Sequence, residues 1–456
     1  MLAKLWASLF GARKSPRDDR QAFAALDRHA PLRDGAVAAA ARGEAEAPPS
    51  YLCRETILGR DQRVAGYQFM LHEGTRNRIR SRSRRIHHVY AEVLVRNIAQ
   101  LDIGRLLGQR KAFLDVPDSF LEHPSIAELP PANTALVLTA VDDGTPPDAA
   151  ALLASVQRLR QAGYRIAIAE ASLASEMAPL SKAVDFVVAN AASADPARLK
   201  ALAETLRGSG ARATLLARGL PSQDDFQLCF ALGASHFQGP FITRREDWHG
   251  NRLGPNTARL ADMLARLRRD ADTRELVALL KQDAALSLRL MRYINSAAVG
   301  LHEPVSSIER ALLQLGRDRL YRWLMLLMYG ADKGASRSAA VLENALVRAR
   351  LMELLGEDDD AGERDARFLV GLLSLVDVVL QVPMETAMAS LATAPAIEAA
   401  VMRGEGAMAD LLRLAIACEG GDPDAVAEAA ERCGISPAVA NRCHLDAFTW
   451  ALEIDA

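Results

Sequence analysis

The densest charge in this sequence lies between Arg76 and Arg85, where six of ten residues are arginine, followed by His87-His88. Guanidinium forks pair with phosphate oxygens, so such a run suits nucleic acid, acidic lipid or a phosphorylated partner. No aromatic side chain is interleaved to stack on bases. A net charge of −2 gives the chain no global field for gathering nucleic acid. The run from Arg76 to Arg85 is therefore read as a solvated loop, and no nucleic-acid partner is expected. Metal chemistry finds few ligands. Cys53, Cys229, Cys418, Cys433 and Cys443 are scattered, odd in number and without a CxxC pair, which suits buried thiols in a reducing, cytoplasmic setting. Cys433, Cys443 and His444 would make three ligands of a zinc site, but no fourth lies nearby, and no metal or other cofactor is expected.

The elements that must position any site fall into two textures. From about residue 51, short apolar runs (64–71, 112–116, 135–141, 165–169, 186–188, 213–217) alternate with helical stretches (89–107, 149–162, 196–208, 224–232). Alternating strand and helix is the pattern of parallel βα units, and at least six of them predict a compact βα barrel or a doubly wound sheet. After about Pro255 the strand pattern stops. Leu260, Met263, Leu264 and Leu267 open a helical period that continues to the last residue, as in an all-α domain. Residues 320–329, with Trp323, Met325 and Met328, are apolar all round and predict a buried helix. Residues 1–50 read as a tail and linker. Leu2, Leu5, Trp6, Leu9 and Phe10 mark its start, which is read as weakly ordered rather than as a membrane-surface helix. No run approaches the roughly twenty apolar residues of a membrane span, so no integral membrane association is expected.

Particular motifs sharpen this reading. Gly66-Tyr67-Gln68-Phe69-Met70-Leu71-His72, Leu232-Gly233-Ala234 and Phe237-Gln238-Gly239-Pro240-Phe241 resemble the signatures of the EAL domain, a barrel family that hydrolyses cyclic di-GMP. Asp283 to Ser287, Leu290 to Ala297, Val305-Ser306-Ser307-Ile308, Gly371 to Asp377 and Asp446 to Ala451 resemble the HDOD domain, a helical output module related to HD phosphohydrolases. The resemblance implies an α/β plus all-α fold: a TIM-like EAL barrel over residues 51–248 and an all-helical HDOD domain over 259–456. It also implies a bacterial signalling protein, acting in motility, surface attachment or virulence.

EAL catalysis needs carboxylates that hold two divalent cations. Carried over position by position, the resemblance puts the signature Glu at Gln68 and the signature Arg at His72. The Asn ligand falls at Asp115, the next Glu near Thr139 and the Asp-Asp pair at Ala169 and Glu170. The Lys-Ile-Asp motif falls near Val188 and Asn190, and the two later Glu residues at Arg218 and Pro221. Gln238 stays. A site without most of its carboxylates, and with Arg218 added, lacks the negative charge for two cations, so the chain is expected to be no enzyme. No His-Asp dipeptide occurs either, and His302 and His444 alone follow residue 249, which leaves no HD metal site.

The expected function is a scaffold or adaptor for other signalling proteins. EAL barrels commonly pair, so the resemblance implies a homodimer. The alternative is an effector that binds cyclic di-GMP without cleaving it through Arg54, Arg218 and Gln238. The loss of the signature Arg, and Glu55 in place of the first-strand Gln, argue against it. Residual phosphodiesterase activity through Asp115, Glu170 and Asp142 is a further rival.

Overall fold

The computed structural model describes residues 52–71, 84–139, 148–174, 177–191, 196–208, 213–295, 305–329, 338–356, 360–391, 393–420 and 422–455. The N-terminal tail, His72, residues 76–83, Asp142 and His302 lie outside the described residues.

Eight strands close into a barrel in sequence order: β1 (Leu52–Gly59), β2 (Val64–Leu71), β3 (Lys111–Pro117), β4 (Thr134–Thr139), β5 (Arg165–Ala169), β6 (Phe186–Asn190), β7 (Thr214–Arg218) and β8 (His236–Gln238). Strands β2 to β8 run parallel, whereas β1 is antiparallel to both β2 and β8. Helices α1 (Arg84–Gln100), α2 (Ile103–Leu107), α3 (Ala149–Gln161), α4 (Pro196–Gly208) and α5 (Gln223–Ala231) fall between strands. The single helix expected over 89–107 is two, because Asp102 takes a left-handed φ of 46° between them. Two strands escaped the periodicity. β1 is buried on both faces and shows little alternation, and β8 is three residues long.

The strand period of two sorts side chains to inside and outside. Ile57, Phe113, Ala135, Val137, Ala167, Phe186, Val188 and Leu216 fill the barrel interior. The His236 ring joins them, with centroids 4.9 Å from Phe186 and 6.3 Å from Phe113. The outward side chains belong to a second core, which continues into the helical half.

That continuity has a topological cause. A parallel βα unit lays its own helix over its strands, but the β1–β2 hairpin has no helix between its strands. Tyr67 and Phe69 on its outer face are nevertheless 0% and 1% exposed. The cover comes from the C-terminal half, which runs as α6 (Pro255–Arg268), α7 (Thr273–Gln282), α8 (Ala284–Ile294), α9 (Ile308–Leu315), α10 (Arg317–Met328), α11 (Ser338–Leu354), α12 (Ala361–Leu373), α13 (Val376–Leu380), α14 (Met384–Leu391), α15 (Pro395–Glu398), α16 (Ala407–Gly420), α17 (Pro423–Cys433) and α18 (Pro437–Asp455). Phe448 of α18 packs edge-on against Tyr67 at 5.3 Å and Phe69 at 6.0 Å. α11 is the central helix, flanked by α12 and α18. Gly371 permits its contact with α12, since a Cβ there would lie 2.5 Å from the Ala349 Cα. The helix expected over 320–329 is α10, and Trp323, Met325 and Met328 are buried in it. Asn295 pairs with the Val305 backbone: its amide donates to the Val305 carbonyl at 2.8 Å and accepts from the Val305 N–H at 2.7 Å.

Two histidines, His236 partly buried and His444 buried, tie this packing to pH. Burial lowers His236 from 6.5 to about 4, and burial, then the neighbouring Arg54, lower His444 to about 3. Both are neutral when folded, while the unfolded chain binds their protons below about pH 6.5. Stability is therefore full above that pH, falls as pH drops towards about 4, and continues to fall towards about 3. For His236 the loss is on the order of 3 kcal/mol. Urea midpoints measured between pH 7 and pH 4.5 are expected to fall steeply, and His236→Phe is expected to flatten that slope. Parallel slopes for the variant and the parent would remove His236 as the cause.

Candidate functional site

A parallel barrel gathers its reactive side chains at the C-terminal ends of its strands. Two residues beyond the inner core layer, on the same inward parity, stand Asp115 after Phe113, Thr139 after Val137 and Ala169 after Ala167. Asn190 follows Val188, Arg218 follows Leu216, and Gln238 follows His236. Gln68 pairs with Phe113 on one side and with Glu55 on the other. The barrel thus brings Gln68, Asp115, Thr139, Ala169, Asn190, Arg218 and Gln238 to one rim. Glu170 begins the turn after β5 and lies outside that parity.

The rim is a closed hydrogen-bond network. The Arg218 guanidinium donates through both terminal nitrogens to Asp115, at 3.1 Å to Oδ2 and 3.2 Å to Oδ1. Its Nε donates to Gln238 Oε1 at 3.2 Å. Gln68 Nε2 donates to Asp115 Oδ2 at 3.0 Å. The Gln238 amide in turn donates to Gln68 Oε1 at 2.6 Å and to Glu55 Oε2 at 2.5 Å. A bidentate guanidinium–carboxylate pair is the strongest ordinary pairing of these groups. It occupies both oxygens of Asp115, the one rim carboxylate aligned with a family ligand. Thr139 Oγ1 donates to the Val116 carbonyl at 3.2 Å, and Glu170 Oε1 accepts from Arg198 Nε at 2.7 Å.

The donor set does not fit two hard cations. Such ions take carboxylate, carbonyl and water oxygens and need compensating negative charge. Here Gln68, Thr139, Ala169 and Asn190 are uncharged, Arg218 is a cation within the ring, Asp115 is already paired with it, and Glu55 is engaged by the Gln238 amide. Among the described residues, no group of three or more His, Cys, Asp and Glu side chains is placed to hold a metal ion.

Arg54 requires a correction as a ligand contact beside Arg218 and Gln238. It precedes the inward Glu55 by one residue, so it has the opposite parity and faces out of the barrel. Its guanidinium lies 4.1 Å from the Phe448 ring centroid and donates to Glu343 Oε1 at 3.2 Å. Glu343, on α11, also accepts from the Tyr67 hydroxyl at 2.7 Å and from Arg110 at 3.4 Å. Burial, and then the Glu343 carboxylate, push the Tyr67 hydroxyl well above its usual pKa, so it remains a donor. The joint is extended by Arg245, after the barrel, which donates to Asp377 Oδ2 at 2.6 Å and to the Ser374 carbonyl at 3.1 Å. Motif reading missed this cluster. Its visible trace is a lone acid, Glu343, in the apolar stretch of α11. From the arginine run, Arg84 donates to Asp118 at 2.9 Å and Arg85 is exposed.

The comparisons agree with this architecture. Residues 256–413 match the HDOD domain. Over 412 residues the chain is 24% identical to the cyclic di-GMP phosphodiesterase CdgJ of Vibrio cholerae, covering 89% of this chain and 93% of that one. It is 21% identical to the uncharacterized protein YuxH of Bacillus subtilis, covering 88% of this chain and 97% of that one. Among solved structures, a standalone EAL protein of Vibrio cholerae in a c-di-GMP-bound form aligns with a TM-score of 0.36 and 15% identity, over 43% of this chain and 91% of that one. An EAL domain protein of Listeria monocytogenes aligns with a TM-score of 0.34 and 11% identity, over 42% and 87%. A closed eight-stranded barrel followed by a helical half that matches the HDOD domain is the architecture of this chain. Among the described residues, no helix is long and apolar enough to cross a membrane.

Proposed function

We propose that this chain is a non-catalytic signalling adaptor, in which an EAL-like barrel without phosphodiesterase activity is fixed to an HDOD domain that presents the partner surface. The observation that carries this reading is the Arg218–Asp115 pair. A guanidinium held bidentate on the one aligned carboxylate of the rim stands where two divalent cations would need negative charge. Removing a ligand from such a centre ordinarily costs orders of magnitude in rate, and here several positions are changed at once.

The joint between the halves supports the adaptor part of the reading. On β1, Glu55 joins the rim network while Arg54, next to it, joins the Glu343 cluster. On β2, Gln68 and Tyr67 divide in the same way. Barrel rim and helical domain are thus held by adjacent residues of two strands, and the barrel serves as a rigid platform. Other signalling proteins are the proposed partners, and the protein is proposed to act in the cytoplasm, as a homodimer.

The second reading is an effector that binds cyclic di-GMP without hydrolysis. The partial exposure of the Arg218 side chain, 22%, favours it, because that guanidinium is within reach of a ligand over the rim. Glu55, exposed at the same rim, opposes a phosphate there. Calorimetric titration of cyclic di-GMP in Mg²⁺, with product analysis on the same sample, separates the readings. The adaptor reading predicts neither heat nor linear dinucleotide. Saturable heat without product, lost in Arg218→Ala, would replace it with the effector, and metal-dependent product would overturn both.

A further inference from the structure

The helical half holds a cavity of about 560 Å³ that the barrel reading leaves unused, formed where α6, α7 and α8 meet the end of α10. Its floor is apolar: Leu260, Met263, Leu286 and Leu327 are buried and line it. Its rim is polar, with Arg259 from α6 and Arg289 from α8. The volume lies within the usual range for small-molecule sites, roughly 300–1,000 Å³.

Formal charges on the lining cancel, because Asp262 and Asp283 accompany the two arginines. The hydrogen bonding does not cancel. Asp262 accepts from Arg266 at 2.9 Å. Asp283 is spent at the start of α8, where it accepts from the Leu286 N–H at 2.9 Å. Among the described residues, Arg259 and Arg289 have neither a hydrogen bond nor an ion pair, and both are exposed. The cavity therefore presents engaged carboxylates, two disengaged guanidinium forks and a leucine–methionine floor.

We infer that this cavity is a binding site for a small organic phosphate, its apolar body on the Leu260, Met263, Leu286 and Leu327 floor and its phosphate between Arg259 and Arg289. Guanidinium is the side chain best matched to phosphate, through two parallel donors. Such a site gives the helical domain an input of its own, independent of the barrel rim.

The test uses the full chain and three probes: 1-naphthyl phosphate, its neutral twin 1-naphthol, and inorganic phosphate. Saturable binding of 1-naphthyl phosphate below about 1 mM is expected, with 1-naphthol and inorganic phosphate each at least tenfold weaker. Because Arg259 and Arg289 are exposed and make no structural contact, Arg259→Ala and Arg289→Ala are expected to fold as the parent does. Each is expected to weaken binding about tenfold, the worth of a hydrogen bond to a charged group, whereas Arg85→Ala, on the barrel, leaves it unchanged. Absence of saturable binding, or binding equal in the parent and both variants, would overturn the assignment. A naphthol affinity equal to that of the phosphate would likewise do so, leaving a purely apolar crevice.

Discussion

Glu343→Ala is expected to destabilise the protein by about 3–5 kcal/mol, because it leaves two guanidinium groups at the joint without their shared carboxylate. Glu343 and Arg54 have side chains 7% and 6% exposed, and Arg110 is 19% exposed. Water cannot reach them freely while the Tyr67 and Phe448 rings stand against Arg54. The cost belongs to the orphaned charge and not to the pair as such. Replacing Arg54, Glu343 and Arg110 together by apolar residues of similar volume is therefore expected to restore most of the loss. Denaturant midpoints of the single and triple variants measure this. A single variant within about 1 kcal/mol of the parent would mean that the joint opens to solvent and that the two halves are not held as described.

The second large effect concerns the halves themselves. Residues 52–248 expressed alone are expected to aggregate or to remain insoluble. The β1–β2 hairpin has no helix of its own, and Tyr67, Phe69, Leu58 and Leu71, now 0%, 1%, 0% and 4% exposed, form part of a core that runs into the C-terminal helices. Uncovering a contiguous apolar face of this kind invites association. Co-expression with residues 249–456 is expected to recover a soluble pair. A monodisperse barrel fragment would show that α18 is an accessory rather than the missing cover.

Much of this was legible in the residues. The alternation of apolar runs with helices carries the barrel, and the bounds of β2, β5 and α4 coincide with the runs that predict them. The rim is legible too, because a strand's period of two places every aligned position on the same inward layer once the core residues are known. Arg54 shows where the reading failed. Its reading as a ligand contact ignored its parity, and one residue of difference moves a side chain through the barrel wall. The Glu343 cluster was beyond reach for another reason. Arg54 and Glu343 are separated by 289 positions, and no local pattern relates an outward strand residue to a helix of the other half. The Arg218–Asp115 pair lies between. Each residue stood out singly, but their contact follows only from the closure that brings β3 and β7 to opposite sides of one rim.

The account turns on whether that rim can hold divalent cations, and Mn²⁺ titration followed by electron paramagnetic resonance reads this without any substrate. With Arg218 paired to Asp115 and neutral residues at Gln68, Thr139, Ala169 and Asn190, the protein is expected to show no stoichiometric Mn²⁺ binding, and Asp115→Asn is expected to give the same trace. Two bound ions per chain that disappear in Asp115→Asn would contradict the account and make the barrel a metal-dependent enzyme.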